Sequence, residues 1–322
     1  MKQPQKLQRG DEIRVIAPSR SRQILSAEGI EKAVARLEEM GFHVTFGEHV
    51  DACDMQGSSS IDERIVDLHA AFADTNVKGI LTVIGGFNCN ELLPYIDYEL
   101  VANNPKVLCG FSDITALANA ITAKCGFITY SGPHFSSFQM EGLQPYQTTH
   151  FEKCIMQAEP FTVAQSPQWS DDLWFLDEDN RNYAHGEWKT YTDGEAEGTL
   201  FGGNLCTFNL LQGTPYMPSI PDDAIFFIED DEETKPETFA RDLTSLLQAV
   251  PNIKGLLIGR FQNVSQVTED QLLFILQKHP LLREIPVMYG MDFGHTQPIA
   301  TMPIGGRIYM NSTTKTLQLN VF

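Results

Sequence analysis

The 322-residue chain is short of basic residues, with 23 Lys and Arg against 42 Asp and Glu and a formal net charge of −19 at pH 7. A surface of this sign repels phosphate backbones, so we expect no nucleic-acid partner. The basic residues are too scattered to form a membrane-binding patch, and no apolar run approaches the roughly 18 residues that a membrane span requires. The first residues lack the apolar core of a signal peptide. We therefore predict a cytoplasmic protein with no membrane partner.

Motifs for disulfides, metals and nucleotide phosphates are also missing. The six cysteines are well separated and contain no C-x-x-C pair, which disfavours a disulfide framework and a zinc site. Neither G-x-G-x-x-G nor G-x-x-x-x-G-K-[ST] occurs. A metal site built from Glu229, Asp230, Asp231 and His295 has no ligand spacing to support it. We expect neither a metal nor a cofactor.

The first half of the chain alternates short apolar runs with amphipathic segments. Strands are predicted at residues 79–86 and 106–110, and helices at about 27–40 and 113–124. Ser60 and Glu63 predict a capping box that opens a further helix. This alternation is typical of an α/β fold with a parallel sheet covered on both faces. The length of the chain favours two domains.

A change of composition marks the middle of the chain. Residues 158–195 are acidic and aromatic, hold three tryptophans and show little helical periodicity. Long loops with this much aromatic content are usually functional rather than disordered. We predict an N-terminal α/β domain over 1–157, a linker and Trp-rich substrate loop over 158–198, and a C-terminal β/α domain over 199–322.

The stretch "KVLCGFSDITALANAI" (106–121) changes abruptly from strand to helix. Gly110 is expected to permit a tight turn. Ser112 has two interpretations, as an N-cap of the helix or as a hydroxyl presented for catalysis. Ligands of open α/β sheets bind beyond the carboxyl ends of the strands, which is where this turn lies. G-F-S-D-I lacks the second glycine of G-x-S-x-G, so an ordinary α/β-hydrolase is excluded.

A serine nucleophile needs an imidazole base, which in turn needs a carboxylate to orient it. Among the histidines near strand ends, His295 and His134 are the candidate bases, with His49 a more distant one. Glu229 follows the apolar run "AIFFI" and is the candidate acid. Two structural alternatives remain open. In one, the acidic run at 229–233 is a solvated face; in the other, His295 is a loop histidine that hydrogen-bonds to the backbone.

Several segments, in this order, resemble the murein LD-carboxypeptidase family of serine peptidases. They are "GDEIRVIAPS", "IGGFN", "GFSDITAL", "YSGP", "GTLFGGNL", "FIED" and "GHTQPIATMPIG". The resemblance implies a Ser–Glu–His triad at Ser112, Glu229 and His295. It also implies a flavodoxin-like parallel-sheet N-terminal domain, a smaller β/α C-terminal domain, a homodimer, and no metal.

Within that family, "GGFNCNELLPYID" and the Trp-rich loop look most like the branch that contains the microcin C self-immunity protein. That branch hydrolyses the amide joining a C-terminal aspartate to a modified adenylate. The oxyanion hole would then use the amides of Asp113 and of Gly86 or Phe87.

The same resemblance suggests contacts for the substrate. They are Asn88, Asn204 and one nucleobase-stacking tryptophan, with Trp174 favoured over Trp188. Either tryptophan has an alternative role in covering the domain junction, and Asn204 has one as a helix N-cap.

The predicted function is therefore that of a serine hydrolase, a carboxypeptidase or amidase. It would cleave an amide at the C-terminal end of a small peptide or aminoacyl-nucleotide, as in microcin C self-immunity. One alternative is a murein tetrapeptide LD-carboxypeptidase of cell-wall recycling. The other is a non-catalytic small-ligand binding protein with the same fold.

Overall fold

The structure is a computed structural model that describes residues 1–320. Its strands are β1 (Glu12–Ile16), β2 (His43–Phe46), β3 (Val77–Thr82), β4 (Val107–Cys109), β5 (Thr129–Ser131), β6 (Phe161–Thr162), β7 (Gln168–Trp169), β8 (Ala184–His185), β9 (Lys189–Thr192), β10 (Glu195–Asn204), β11 (Ala224–Glu229), β12 (Gly255–Gly259), β13 (Val287–Met291), β14 (Met302–Ile304), β15 (Arg307–Asn311) and β16 (Thr316–Asn320). Its α-helices are α1 (Ala27–Glu39), α2 (Ile61–Ala73), α3 (Tyr98–Asn103), α4 (Ile114–Cys125), α5 (Gln144–Met156), α6 (Leu205–Asn209), α7 (Pro236–Ala249) and α8 (Glu269–Leu276). Short 3-10 helices cover Arg22–Ile24, Cys89–Tyr95, Phe135–Gln139, Asn263–Ser265 and Pro280–Arg283.

The first sheet has the strand order β2-β1-β3-β4-β5-β14. Its first five strands are parallel, and the order 2-1-3-4-5 is that of flavodoxin-like folds, so the predicted fold class is confirmed. β14 comes from the C-terminal half of the chain and pairs antiparallel with β5, with Met302 opposite Ser131. The chain therefore returns to its first sheet after leaving the second.

Local sequence explains the helices that flank this sheet. Ser26 caps α1 by accepting from the Gly29 amide, and Ser60 forms the predicted capping box with Glu63 at the start of α2. β4 is buried along its whole length, as expected for a central strand with helices on both faces. The result is a rigid base from which the β4–α4 turn projects.

The second sheet has the strand order β6-β16-β15-β10-β11-β12-β13-β9. Its centre, β10 to β13, is parallel, whereas β15, β16, β6 and β9 are added antiparallel. β11, the "AIFFIE" run, is buried at every residue. The carboxyl end of β11 faces the site described below.

The segment between the two parts is more ordered than the predicted linker. β6 joins β16, β9 joins β13, and β7 pairs with β8 as a hairpin. β10 begins at Glu195 and so runs across residue 199, where the C-terminal domain is predicted to begin. The free backbone groups at a sheet edge can pair with a segment whose sequence has no strand periodicity. Such edge strands are therefore not predictable from the sequence pattern of the segment itself. The division at 1–157, 158–198 and 199–322 stays a prediction.

All six cysteines are free. Within residues 1–320, no helix is both long and apolar enough to cross a membrane. Over the same residues, no cluster of three or more His, Cys, Asp or Glu side chains is arranged to hold a metal ion.

Candidate active site

Ser112 lies in the turn between β4 and α4, with a backbone φ of 60°. This left-handed conformation costs a residue other than glycine about 1–2 kcal/mol. The N-cap position of α4 is occupied by Asp113, so Ser112 is not the N-cap. Strain of this kind at the end of a strand is characteristic of turns that present a nucleophile.

Gly110 has a different role from the one its sequence position suggests. Its φ is not positive, so the left-handed residue of the turn is Ser112 instead. A Cβ on Gly110 would lie 2.2 Å from Thr82 Oγ1 and 3.2 Å from His134 Nδ1. Glycine is therefore required for close packing beneath the turn, and not for its backbone angle.

A chain of hydrogen bonds links the three predicted catalytic side chains. Ser112 Oγ is 3.0 Å from His295 Nε2, and His295 Nδ1 is 2.6 Å from Glu229 Oε2. They come from the end of β4, the end of β11 and the connection between β13 and β14. Gly259 and Gly294 make room for Glu229, since a Cβ on either would lie within 2.8 Å of its side chain.

The carboxylate of Asp113 ties the Ser112 turn to two neighbouring loops. It is buried and accepts hydrogen bonds from Ser19 Oγ at 2.6 Å and from the Cys89 amide at 2.9 Å. The loop that leads to Cys89 packs against Ser112, since a Cβ on Gly85 would lie 2.9 Å from Ser112 Cβ. Asp113 thus holds the predicted oxyanion loop against Ser112 through its side chain.

A cavity of about 340 Å³ opens onto Ser112 and His295, and we call it the catalytic cavity. Gly86, Phe87 and Trp174, all predicted site residues, also line it. Its remaining lining residues are Arg20, Ile24, Ile84, Gly85, Phe111, His134, Ser136, Ser137, Asp172, Leu173, Phe175, Asp231, Glu232, Gln262 and Gln297.

Three predicted substrate contacts are placed elsewhere. Trp188 is buried and donates from Nε1 to Asp292 Oδ2 at 2.7 Å, so it packs in the core. Asn204 is buried as the N-cap of α6 and also donates to Asp230. Asn88 accepts from Ser58 Oγ. None of these three lines the catalytic cavity.

The loop that carries Trp174 is fixed beside the histidine. Ser170 exchanges backbone hydrogen bonds of 2.8 and 3.0 Å with Gln297, which lies two residues after His295. Asp171 accepts from the Asn263 amide at 2.6 Å. These contacts hold Trp174 at the edge of the catalytic cavity.

Charge around His295 sets its protonation. Burial alone would lower its pKa, but the bonded Glu229 carboxylate, together with Asp231 and Glu232, raises the pKa to about 9. Burial, assisted by the charges of Glu229 and Asp231, raises the pKa of Asp230 to about 7.

The second candidate base, His134, has the opposite environment. It is buried, its Nδ1 lies 2.7 Å from Thr82 Oγ1, and its ring packs on Phe111. Burial, with a smaller contribution from His295, lowers the pKa of His134 to about 3. His49, the third candidate, bonds Asp67 instead. We therefore keep His295 as the only base in the catalytic scheme.

The raised pKa of His295 predicts a pH profile. A base must be neutral to accept the Ser112 proton, so kcat/KM should rise with pH through the pKa of His295. The midpoint is expected near 9 rather than near the ordinary 6.5, because the carboxylates favour the charged imidazole. Initial rates from pH 6 to 10 measure it. Glu232→Gln removes one of these charges and should move the midpoint down; a wild-type midpoint at or below 6.5 would contradict the prediction.

Sequence reasoning missed several lining residues. Arg20 lies in the loop just after β1. Ligands of open α/β sheets bind beyond the carboxyl ends of the strands, so its position in the sequence could have identified it. Phe111 and Gln297 adjoin recognised motif residues, whereas Gln262 reaches the cavity only through the tertiary fold.

Comparison with known proteins gives two family matches that together span most of the chain. The model for the LD-carboxypeptidase N-terminal domain matches residues 13–132, and that for the LD-carboxypeptidase C-terminal domain matches residues 197–310. The curated "Putative carboxypeptidase YocD" of Bacillus subtilis is 48% identical over 98% of this chain and 97% of its own.

Two solved structures resemble the whole chain. An MccF-like protein from Bacillus anthracis is 47% identical with a TM-score of 0.97, covering all of both chains. Microcin C7 self-immunity protein MccF, solved with aspartyl sulfamoyl adenosine, is 28% identical with a TM-score of 0.89, covering 98% of this chain and 97% of its own. The chain therefore belongs to the LD-carboxypeptidase family of peptidases, and its structural neighbours are MccF-like proteins.

Proposed function

We propose that this peptidase is a serine enzyme in which Ser112, His295 and Glu229 form the catalytic triad. The observation that carries the proposal is the continuous hydrogen-bond chain from Ser112 Oγ through the imidazole to Glu229 Oε2. The left-handed backbone at Ser112 adds support, because strain is retained where the fold must hold a hydroxyl in one position.

In the proposed mechanism, His295 Nε2 takes the Ser112 proton as Oγ attacks the scissile carbonyl carbon. Glu229 holds the Nδ1–H tautomer and stabilises the imidazolium. The amides of Asp113 and of Gly86 or Phe87 donate to the oxyanion. His295 then protonates the leaving nitrogen, and water, deprotonated by the same imidazole, releases the acyl group from Ser112.

We propose an aminoacyl-nucleotide, or a related amide at a carboxyl terminus, as the substrate. The rim of the catalytic cavity is apolar and exposed: Phe87, Leu173 and Phe175 are 65%, 55% and 63% exposed. Trp174 lines the cavity beside them and packs edge-on to Phe175. A flat purine has a stacking surface there, and the solved MccF complex with aspartyl sulfamoyl adenosine agrees with such a ligand.

Mass spectrometry of two incubations tests this proposal. The protein is given aspartyl-sulfamoyl-adenosine and, separately, an LD-linked muropeptide, with the Ser112→Ala variant as control. Release of free aspartate, absent in the variant, is the expected result. Release of terminal D-alanine alone would favour cell-wall recycling instead, and no product from either would contradict the proposed substrate and favour the binding-protein alternative.

The same proposal includes a homodimer in the cytoplasm. Both features come from the family resemblance and the composition of the chain. Sedimentation of the purified protein measures the first, and fractionation of cells measures the second.

A further inference from the structure

The catalytic cavity has an uneven charge distribution. Asp172, Asp231 and Glu232 contribute carboxylates to its lining, and Arg20 contributes the one arginine or lysine side chain among the described lining residues. Arg20 lies on the opposite element, just after β1, at the side of the Gly85–Gly86 loop. A substrate anion entering this cavity therefore has one permanently charged partner.

Arg20 is also unusual among the arginines of the chain. Within residues 1–320, each of the other ten arginines makes at least one side-chain hydrogen bond, whereas the Arg20 guanidinium makes none. It lies over the ring of Phe87, 5.6 Å from the centroid. In a protein with 42 acidic residues, an arginine with no acceptor of its own keeps its full donor capacity for a ligand.

The position of Arg20 relative to the nucleophile is set by two consecutive glycines. A Cβ on Gly85 would lie 2.9 Å from Ser112 Cβ, and one on Gly86 would lie 3.0 Å from Arg20 Cγ. The Arg20 amide also donates to the Gly85 carbonyl at 3.3 Å. Ser112 and the stem of Arg20 thus pack against neighbouring residues of one loop. Arg20 and Ser112 therefore line the same catalytic cavity from the two sides of this loop.

We propose that Arg20 binds an anionic group that the substrate carries next to the scissile amide. The planar guanidinium suits a carboxylate, a sulfamate or a phosphate, each of which accepts two parallel hydrogen bonds. In a peptide the anion is the terminal carboxylate, and in an aminoacyl-nucleotide it is the acidic linkage to the nucleoside. This inference rests on the proposed function for the bond that is cleaved, and it adds a specificity-determining residue.

Binding to the Ser112→Ala variant, by calorimetry, tests the proposal without any requirement for turnover. Two ligand pairs are compared: an LD-linked muropeptide and its terminal carboxamide, and aspartyl-sulfamoyl-adenosine and the aspartyl amide of 5′-amino-5′-deoxyadenosine. Within each pair the first ligand is charged, and the second uncharged, at the position next to the scissile amide; their other charges are the same. Adding Arg20→Gln should weaken binding of a charged ligand about 10- to 100-fold and leave its uncharged partner unchanged. Arg20→Lys should recover part of the loss, because lysine keeps the positive charge but lacks the two parallel N–H donors of the guanidinium.

The matched control is Arg9→Gln, since Arg9 has a backbone acceptor on Glu39 and does not line the catalytic cavity. It should leave all four affinities unchanged. A loss confined to the sulfamate pair identifies the nucleotide linkage as the anion, and one confined to the muropeptide pair identifies the terminal carboxylate. Equal losses within a pair, no loss, or no binding of either charged ligand would overturn the assignment. Turnover that persists in Ser112→Ala would instead refute the triad and leave this binding result standing.

Discussion

Replacing Ser112 with alanine is expected to lower kcat by roughly 10⁵- to 10⁶-fold, the scale found when a triad nucleophile is removed. The hydroxyl is the group that His295 contacts at 3.0 Å, and no other side chain hydrogen-bonds His295 Nε2 within residues 1–320. The fold should be unaffected, because alanine accepts the same turn at similar conformational cost. Product release under saturating substrate measures the loss, and calorimetry should find ligand affinity retained.

Ser136 provides the matched control for this experiment. It lines the same catalytic cavity, but its hydroxyl has no hydrogen bond to an imidazole within the described part of the chain. Ser136→Ala should therefore keep turnover within a few-fold of wild type. Full activity in Ser112→Ala would refute the triad, and equal losses in both variants would indicate an effect of cavity shape.

Glu229→Gln is expected to lower kcat/KM by about 10³- to 10⁴-fold. Glutamine fills the same space between Gly259 and Gly294, so packing is preserved. It removes the negative charge that stabilises the imidazolium, and its amide can turn an N–H towards Nδ1, which favours the wrong tautomer of His295. Steady-state kinetics across pH measure the effect, which should persist at the optimum of the variant.

Asp231→Asn tests the effect of a nearby charge on His295 separately from the orienting hydrogen bond that Glu229 makes to its ring. Asp231 raises the pKa of His295 through space and makes no hydrogen bond to that ring in the structure of residues 1–320. We expect it to move the pH midpoint down with little change in the plateau rate. A plateau loss as large as that of Glu229→Gln would contradict the orienting role given to Glu229.

The sequence alone was sufficient to predict the features that depend on residues close together in the chain. Apolar runs marked the central strands, Ser60 and Glu63 marked the start of α2, and strand ends pointed to Ser112. The flavodoxin-like parallel arrangement of the first sheet followed from the family resemblance. The same resemblance pointed to the three side chains that the structure joins by hydrogen bonds, and their catalytic roles stay a prediction.

The rest depends on contacts between distant parts of the chain. Trp174 and Trp188 lie in the same aromatic segment, and the sequence does not distinguish their roles. Of the two, Trp174 lines the catalytic cavity, whereas Trp188 is buried and donates to Asp292. The positive φ of Ser112 is likewise not evident from the sequence of the turn. Steric demand at Gly110 comes from Thr82 and His134, which lie far away in sequence. Such demands appear only when the elements are packed.

The antiparallel strand β14 has a consequence for the order in which the parts of the candidate site come together during synthesis. It follows His295 in sequence and completes the first sheet at β5, so the N-terminal half has an open edge until β14 arrives. Synthesis runs from the N-terminus, and early domains begin to fold before later ones emerge. A nascent chain therefore carries the Ser112 turn before His295 has been synthesised. Pairing of β14 with β5 then anchors the segment that carries His295 beside that turn.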